Sequence, residues 1–190
     1  NRDDYLRKLF RDVRFRKALS LAINRQQINE LLHFGKGVVR QATVIPSSRY
    51  FLPEFATMYT EHRPDKAREL LDEMGLKDRN GDGRRERPNG EPLRIVLEYI
   101  TGFTPKQKTL TLVTSYWREV GVHVNLRQIS HGLLTARTKG NLSDMTIWHQ
   151  DRTTDIHFPI EPMWWVPMHV GVHECHWTPW ATWYLSDGEN

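Results

Sequence analysis

Three kinds of feature are scarce or missing in this 190-residue sequence, and each absence excludes a class of protein. Cys175 is the single cysteine, so an intrachain disulfide and most thiolate metal sites are excluded. No apolar run approaches the roughly 18 residues that a membrane-spanning helix needs. The sequence also has no G-x-S-x-G elbow and no Gly-rich phosphate loop after a strand, so its motifs indicate no enzyme.

Composition and charge are those of an ordinary globular chain. Charged residues make up 26% and hydrophobic residues 38% of the sequence, and the length allows a buried core. The net charge is only +4, and the basic residues among the first 17 positions are interspersed with aspartates. This distribution is typical of a solvated helix face and indicates no nucleic-acid partner.

Apolar residues recur at helical spacing along three stretches of the chain. Between residues 5 and 34 they predict two or three helices, with Asn24 as a cap. A further helix begins at Pro64, and another begins at the capping box of residues 104–107. Each stretch is followed by a glycine that can end a helix: Gly35, Gly75 and Gly121.

Strand patterns alternate with the later helices. Residues 93–98 place apolar side chains on one face and Arg94, Val96 and Glu98 on the other, which predicts a half-buried strand. Two more strands are predicted at 122–126 and 145–148, with a short helix at 133–139 between them. The order strand, helix, strand, helix, strand predicts an α/β fold with a mostly parallel sheet flanked by helices.

Two other regions have weaker patterns. The β-branched residues of 38–45 predict a short strand that ends at Pro46. From residue 150 to residue 190 no regular period is visible, because prolines interrupt a stretch that is rich in tryptophan.

An acidic loop and a histidine cluster are candidate metal sites. Asp78, Asn80 and Asp82 have the D-x-N-x-D-G spacing of a calcium loop, but Asn89 stands where a closing glutamate is required. Glu86 or Glu91 could substitute as the closing ligand. The loop is therefore either a calcium site or a turn-rich hairpin connection. Four zinc-competent side chains form the second cluster: His169, His173, Cys175 and His176. The alternative is a loop in which these histidines pack beside tryptophans.

The end of the last predicted strand is a candidate ligand site. Ligands of open α/β sheets bind beyond the carboxyl ends of the strands. Residues 144–151 place an indole for stacking at Trp148 and a carboxylate that could pair an ammonium group at Asp151. The alternative is that Trp148 belongs to the core and Asp151 caps a turn.

A long segment of the sequence resembles a known family. Residues 12–25 read DVRFRKALSLAINR, close to the D-V-R-x-R-x-A-L-x-x-A-I-N-R pattern of the family 5 extracellular solute-binding proteins. Further matches follow in the family's order: residues 64–76, the Asp-Gly-rich loop before a strand, residues 116–122, and Asp144-Met145 ahead of Trp148. The resemblance covers nearly the whole chain.

The resemblance implies a type II periplasmic-binding-protein-like lobe. The family comprises the receptors of ABC peptide and nickel importers, which are longer than this chain and close two α/β lobes around a ligand. We therefore expect residues 1–190 to be one lobe excised from a longer two-lobe receptor. Residues 150–190 are expected to form an irregular Trp- and Pro-rich segment packed on it.

The implied function is non-covalent capture of an oligopeptide or related solute at the periplasmic or extracellular face. The implied partners are the solute, the missing lobe of the same chain and the ABC permease subunits, and no cofactor is implied. In the peptide binders a carboxylate shortly after the last strand pairs the ligand's N-terminal ammonium group; Asp151 is the nearest match and Asp155 the alternative. The candidate ligand-binding residues are Trp148, His149, Asp151 and Asp155. The competing hypothesis is a metal-dependent structural or interaction module.

Overall fold

Three parallel strands form the sheet of the computed structural model. They are β1 (Ile95–Tyr99), β2 (Val124–Gln128) and β3 (Met145–Thr146). β1 lies in the middle, and its Leu97 is aligned with Leu126 of β2 and Met145 of β3. The predicted α/β fold with a parallel sheet is confirmed, although β3 ends two residues earlier than expected.

The structure describes residues 3–100, 106–148, 152–162, 165 and 178–189. The helices of these ranges are α1 (Asp4–Arg11), α2 (Val13–Ala22), α3 (Arg25–His33), α4 (Pro53–Thr57), α5 (Pro64–Glu73), α6 (Lys106–Glu119), α7 (His131–Lys139), α8 (His157–Ile160) and α9 (Thr178–Leu185). No helix in these ranges is long and apolar enough to cross a membrane.

The first three helices begin at capping residues. Asp3, Asp12 and Asn24 each supply a side-chain oxygen that accepts an N–H group of the following first turn. The predicted cap at Asn24 is thus confirmed. α3 ends slightly earlier than expected, because Phe34 already has a left-handed conformation with φ of 54° before Gly35 does.

The segment that resembles the solute-binding family is held together by its own polar side chains. Arg14 Nη2 lies 2.6 Å from a carboxylate oxygen of Asp12. Arg16 donates to two carbonyl groups at the end of α1, both at 2.7 Å. Arg25 donates to the carbonyl and hydroxyl oxygens of Ser20 at 2.8 and 2.7 Å. These contacts fix the turns that join α1, α2 and α3.

The core lies between the helices and the sheet. α2 packs against α5, and the apolar stripe of α6 covers β1 and β2. Phe15 of α2, Leu71 of α5 and Ile95 of β1 have no exposed surface. Leu110 and Trp117 of α6, which the helical spacing placed on one stripe, are also buried.

Gly121 ends α6 with a φ of +85°, as predicted for a helix stop. A Cβ atom at this position would lie 2.8 Å from Cγ of Arg85. The side chain of Arg85 lies against Gly121 because its guanidinium donates to the carbonyl of Val120 at 2.7 Å and to Asp72 at 2.5 Å. The loop of residues 77–91 is thereby attached to the ends of α5 and α6.

The predicted strand at 38–45 is wrong. Its Gln41 N–H donates to the carbonyl of Ala56 at 2.8 Å, whereas its Ile45 N–H donates to the carbonyl of Thr153 at 3.1 Å. The segment thus bonds to α4 at one end and to a separate loop at the other. β-Branched side chains favour a strand only where a partner strand lies alongside. The pattern also failed to predict α4.

The predicted exposure of Glu98 is wrong as well. Glu98 lies in the central strand and is 0% exposed, although strand alternation placed it on the solvent face. α7 covers this face of the sheet and brings Arg137 to the carboxylate at 2.6 Å. A buried carboxylate is tolerated when it is paired and hydrogen-bonded, and Glu98 meets both conditions.

Regular structure extends further toward the C-terminus than predicted. We expected residues 150–190 to be irregular, but α8 and α9 lie within this range. Thr178 and Ala181 of α9 are buried. The hydroxyl of Thr178 donates to the carbonyl of Thr138 at 3.4 Å, so α9 contacts the end of α7.

Candidate ligand-binding site

A cavity of about 420 Å³ lies at the edge of the sheet where β1 and β2 end. It is lined by Ile100, Gln128, Ile129, Ser130 and His131. Ile100 directly follows β1, and Ile129 directly follows β2, so the carboxyl ends of two adjacent parallel strands border the same space. This is the edge at which open α/β sheets bind ligands.

The first turn of α7 forms one side of the cavity. Ser130 caps this helix, because its hydroxyl accepts the N–H of Leu133 at 3.3 Å. The next residue, His131, places its ring centroid 5.9 Å from that of Trp148 in an edge-to-face arrangement. α7 therefore brings the cavity and Trp148 together.

Trp148 is half-buried, in keeping with a residue that lies at the sheet edge and not in the core. The ammonium nitrogen of Lys106, the first residue of α6, lies 4.4 Å from the centroid of the indole. Burial lowers the pKa of Lys106 below its ordinary value. The indole presents a π-face that attracts a cation, and in this structure Lys106 occupies that position.

A buried ionic network lies beneath this edge. Glu98 of β1 accepts from Arg127 of β2, from Arg137 of α7 at 2.6 Å and from the hydroxyl of Ser143 at 2.6 Å. Burial would raise the pKa of Glu98, but the hydrogen bonds from Ser143 and Arg127 and the charge of Arg137 outweigh it and hold the pKa below its ordinary value. The network attaches α7 to the sheet and so fixes one wall of the cavity.

Asp144 and Asp155 both make contacts with other parts of the chain. Asp144 accepts the N–H of Val96 at 3.0 Å, next to the start of β1. Asp155 accepts the N–H of Arg49 at 3.0 Å, and its other oxygen lies 3.6 Å from Nε of the same residue. The hydroxyl of Ser48 and the groups of Arg49 hold the pKa of Asp155 below its ordinary value.

Two of the four predicted site residues can be located. Trp148 lies beside the cavity, whereas Asp155 lies at a turn formed by residues 46–50. His149 and Asp151 lie outside the described residues, so their roles stay predictions. The sequence did not single out Lys106 or Glu98, although a lysine in the first turn of a helix that faces the sheet edge was a signal for Lys106.

The acidic loop brings three carboxylates together. Oxygen atoms of Asp78, Asp82 and Glu86 lie within 4.8 Å of one another. Each of them also accepts backbone N–H groups of the loop: Asp78 from Gly81 and Gly83, Asp82 from Arg84, and Glu86 from Arg79, at 2.7 to 2.8 Å. These bonds are those of a turn-rich connection, which was one of the two predictions for this loop. The proposed zinc cluster at residues 169–176 lies outside the described residues.

The chain is an α/β domain with a cavity beyond the carboxyl ends of two parallel strands, the position at which open α/β sheets bind ligands. The chain belongs to the family described as bacterial extracellular solute-binding proteins, family 5 Middle, which matches residues 1–166. The resemblance noted in the sequence is therefore confirmed. Members of this family are binding proteins and not enzymes, which confirms the prediction of a non-enzymatic function.

Curated relatives match about two thirds of the chain. A protein of Deinococcus radiodurans named "Probable ABC transporter-binding protein" is 28% identical over 138 residues, which cover 71% of this chain and 23% of that protein. The "Oligopeptide-binding protein AppA" of Bacillus subtilis is 26% identical over 127 residues, covering 67% of this chain and 23% of AppA. The chain thus spans about a quarter of the length of these relatives.

Solved structures superpose on the chain. A structure described as oligopeptide-binding protein OppA has a TM-score of 0.87 and 35% identity, and the match covers 100% of this chain and 30% of OppA. The structure of AppA in complex with a nonapeptide has a TM-score of 0.60 and 26% identity over 69% of this chain and 26% of AppA. NikA from Brucella suis, at 23% identity and a TM-score of 0.65, has the same fold.

Proposed function

We propose that this chain is the ligand-capturing lobe of a solute-binding protein that serves an ABC importer. The observation that carries the proposal is the cavity at the ends of β1 and β2, with Trp148 beside it, in a chain of this family. The binding is non-covalent, and the partners are the solute and the permease subunits. The site of action is the periplasmic or extracellular face of the cell envelope, which agrees with the family description.

The solute is an oligopeptide or a related compound. Support comes from the 35% identity to OppA and the 26% identity to AppA, both of which are described as oligopeptide-binding proteins. In this proposal Trp148 packs against the bound peptide, and His149, Asp151 and Asp155 belong to the same stretch of chain. Asp151 or Asp155 supplies the carboxylate that pairs the ammonium group of the peptide.

A second lobe completes the site by closing over the peptide. The cavity lies at the outer edge of the sheet, and the match to OppA covers 30% of that chain. A receptor that binds at about 1 μM gains roughly 8 kcal/mol, so a lobe that supplies half of this energy binds near the millimolar range. We therefore expect weak peptide binding by the 190-residue chain itself.

The experiment compares peptide binding by the native chain with that of two tryptophan variants. A mixture of tripeptides to pentapeptides is titrated while the thermal unfolding midpoint is followed. Trp148→Ala should abolish the ligand-induced rise in the midpoint. Trp183→Ala, which changes an exposed tryptophan of α9, is the matched control and should leave the rise unchanged.

Two results would refute the proposal. One is the absence of any rise in the native chain at millimolar peptide. The other is an equal loss of the rise in Trp148→Ala and in Trp183→Ala, since the response would then not depend on the sheet edge. Micromolar binding by the chain alone would specifically contradict a cavity shared between two lobes.

A further inference from the structure

The carboxylate of Asp155 bonds to a turn that lies 106 residues earlier in the sequence. Its Oδ1 accepts the N–H of Arg49 at 3.0 Å, and Nε of Arg49 lies 3.6 Å from Oδ2. The hydroxyl of Ser48 also bonds to this carboxylate, and Ser48 is only 6% exposed. Asp155 therefore holds the turn through one backbone group and two side chains.

Two more contacts join the same parts of the chain. The N–H of Ile45 donates to the carbonyl of Thr153 at 3.1 Å, and the rings of Tyr50 and Phe158 lie 5.2 Å apart. We call the set of contacts between residues 45–50 and residues 153–158 the clasp. It combines backbone, ionic and aromatic contacts, so it is a defined junction between two segments.

The clasp lies a short distance along the chain from the candidate ligand site. Trp148, which contacts Lys106 and His131 at the sheet edge, precedes Thr153 by five residues. Before Trp148 the chain is held by β3, and after it the chain is held by the clasp. A change in the clasp is therefore transmitted to the site through a very short piece of chain.

We propose that Asp155 is a positioning residue, which holds the chain after β3 in place and does not itself contact the bound peptide. The inference rests on the proposed function, because it assigns a role at the same site. One oxygen of Asp155 accepts the N–H of Arg49, the other faces Nε of Arg49 at 3.6 Å, and the Arg49 guanidinium repels an incoming ammonium group. Pairing with the peptide's ammonium group is thus left to another carboxylate of this stretch.

Two variants of Asp155 separate the positioning role from ligand contact. Asp155→Asn removes the charge but keeps an oxygen that can accept the N–H of Arg49. Asp155→Ala removes the acceptor and opens the clasp. If Asp155 positions the chain, Asp155→Asn binds peptide nearly as well as the native chain, because it keeps the acceptor. Asp155→Ala binds about tenfold more weakly, the order of effect expected from losing one hydrogen bond.

The probe is the mixture of tripeptides to pentapeptides, used once untreated and once after acetylation of the amino groups. A positioning residue acts on both mixtures alike, so the affinity ratio between them should be the same in the native chain and in Asp155→Ala. Arg49→Met should have little effect, because the exposed guanidinium contributes less than the backbone N–H. If Asp155 instead pairs directly with the ammonium group, the ratio of the affinities for untreated and acetylated peptides falls toward one in both Asp155 variants. That result would overturn the inference.

A second measurement applies if the native chain binds neither mixture, a result that would refute the proposed function alone. Amide hydrogen exchange is then compared between the native chain and Asp155→Ala. Opening of the clasp should speed exchange at residues 45–50 and also at residues 145–148. Faster exchange confined to residues 45–50 would show that the clasp does not position the sheet edge, and the inference would be wrong.

Discussion

Glu98 of the central strand and Arg137 of α7 form an ion pair, with Nε of Arg137 2.6 Å from Oε1 of Glu98. The glutamate is buried in the sheet, and the arginine side chain retains only 25% of its exposure. Because the first turn of α7 borders the cavity, this pair connects the centre of the sheet to one wall of the candidate site. The stability of the fold and the shape of the site therefore depend on the same contact.

Replacing this glutamate should destabilise the fold strongly. Glu98→Gln leaves the guanidinium groups of Arg127 and Arg137 without their carboxylate, and we expect the free energy of unfolding to fall by about 3 kcal/mol. Urea denaturation measures the change. Glu69→Gln is the control, because it breaks only the exposed pair with Lys66 and should cost about 0–1 kcal/mol. Equal losses in the two variants would contradict a structural role for the buried network.

The same network predicts how stability changes with pH. The pKa of Glu98 is held below its ordinary value in the folded state, so the unfolded chain binds the proton more readily. The stabilisation that the ionised Glu98 gives the fold is fully present above the pKa of a glutamate in the unfolded chain, about 4.3. It is lost as the pH falls through the lower pKa that Glu98 has in the folded chain. Urea midpoints between pH 7 and pH 3 should therefore fall more steeply for the native chain than for Glu98→Gln. Parallel curves would exclude this linkage.

Gly121 should be the least replaceable of the described glycines that have a positive φ. Gly121→Ala combines a φ of +85° with a Cβ atom 2.8 Å from Arg85. Gly81→Ala is the matched control, since its φ is +80° but nothing lies within 4 Å of the added atom. The control should cost about 1–2 kcal/mol from the backbone alone, and Gly121→Ala about 1–3 kcal/mol more from the clash. Equal unfolding free energies would show that Arg85 moves aside without cost.

Chelation tests whether the acidic loop of residues 78–86 is a calcium site or a turn-rich connection. The carboxylates of Asp78, Asp82 and Glu86 already accept backbone N–H groups, and Arg79 lies 3.9 Å from Glu86. We therefore expect neither excess EGTA nor excess calcium to change the thermal unfolding midpoint. A stabilising metal would shift the midpoint by several degrees, and such a shift would favour the metal-dependent hypothesis.

Local chemistry explains why much of the fold could be predicted. The cap at Asn24 and the stop at Gly121 depend on a few adjacent residues, and the alternation of strands and helices after residue 93 is visible at short range. The wrong predictions concern contacts with distant residues. Glu98 is buried because Arg127, Arg137 and Ser143 reach it from 29 to 45 positions away. Residues 38–45 fail to form a strand because, within the described part of the chain, no partner strand lies beside them.

In the candidate site, too, features set by nearby residues could be predicted, whereas contacts with distant residues could not. The position of Trp148 at the sheet edge could be predicted, because the carboxyl ends of parallel strands share one edge. The contacts of Asp155 could not, since Arg49 lies 106 residues earlier and no sequence period relates the two. The resemblance to the peptide binders therefore gave Asp151 as the nearest match and Asp155 as the alternative.

The central claim is that a peptide binds at the ends of the parallel strands. Its most direct test is an NMR titration of the chain with the mixture of tripeptides to pentapeptides, following backbone amide signals and the tryptophan indole signals. We expect shifts at Ile100, Gln128 and His131 and at the indole of Trp148, while the indole of Trp183 is unaffected. Shifts confined to α9 or to the loop of residues 77–91, or no shifts at millimolar peptide, would contradict it.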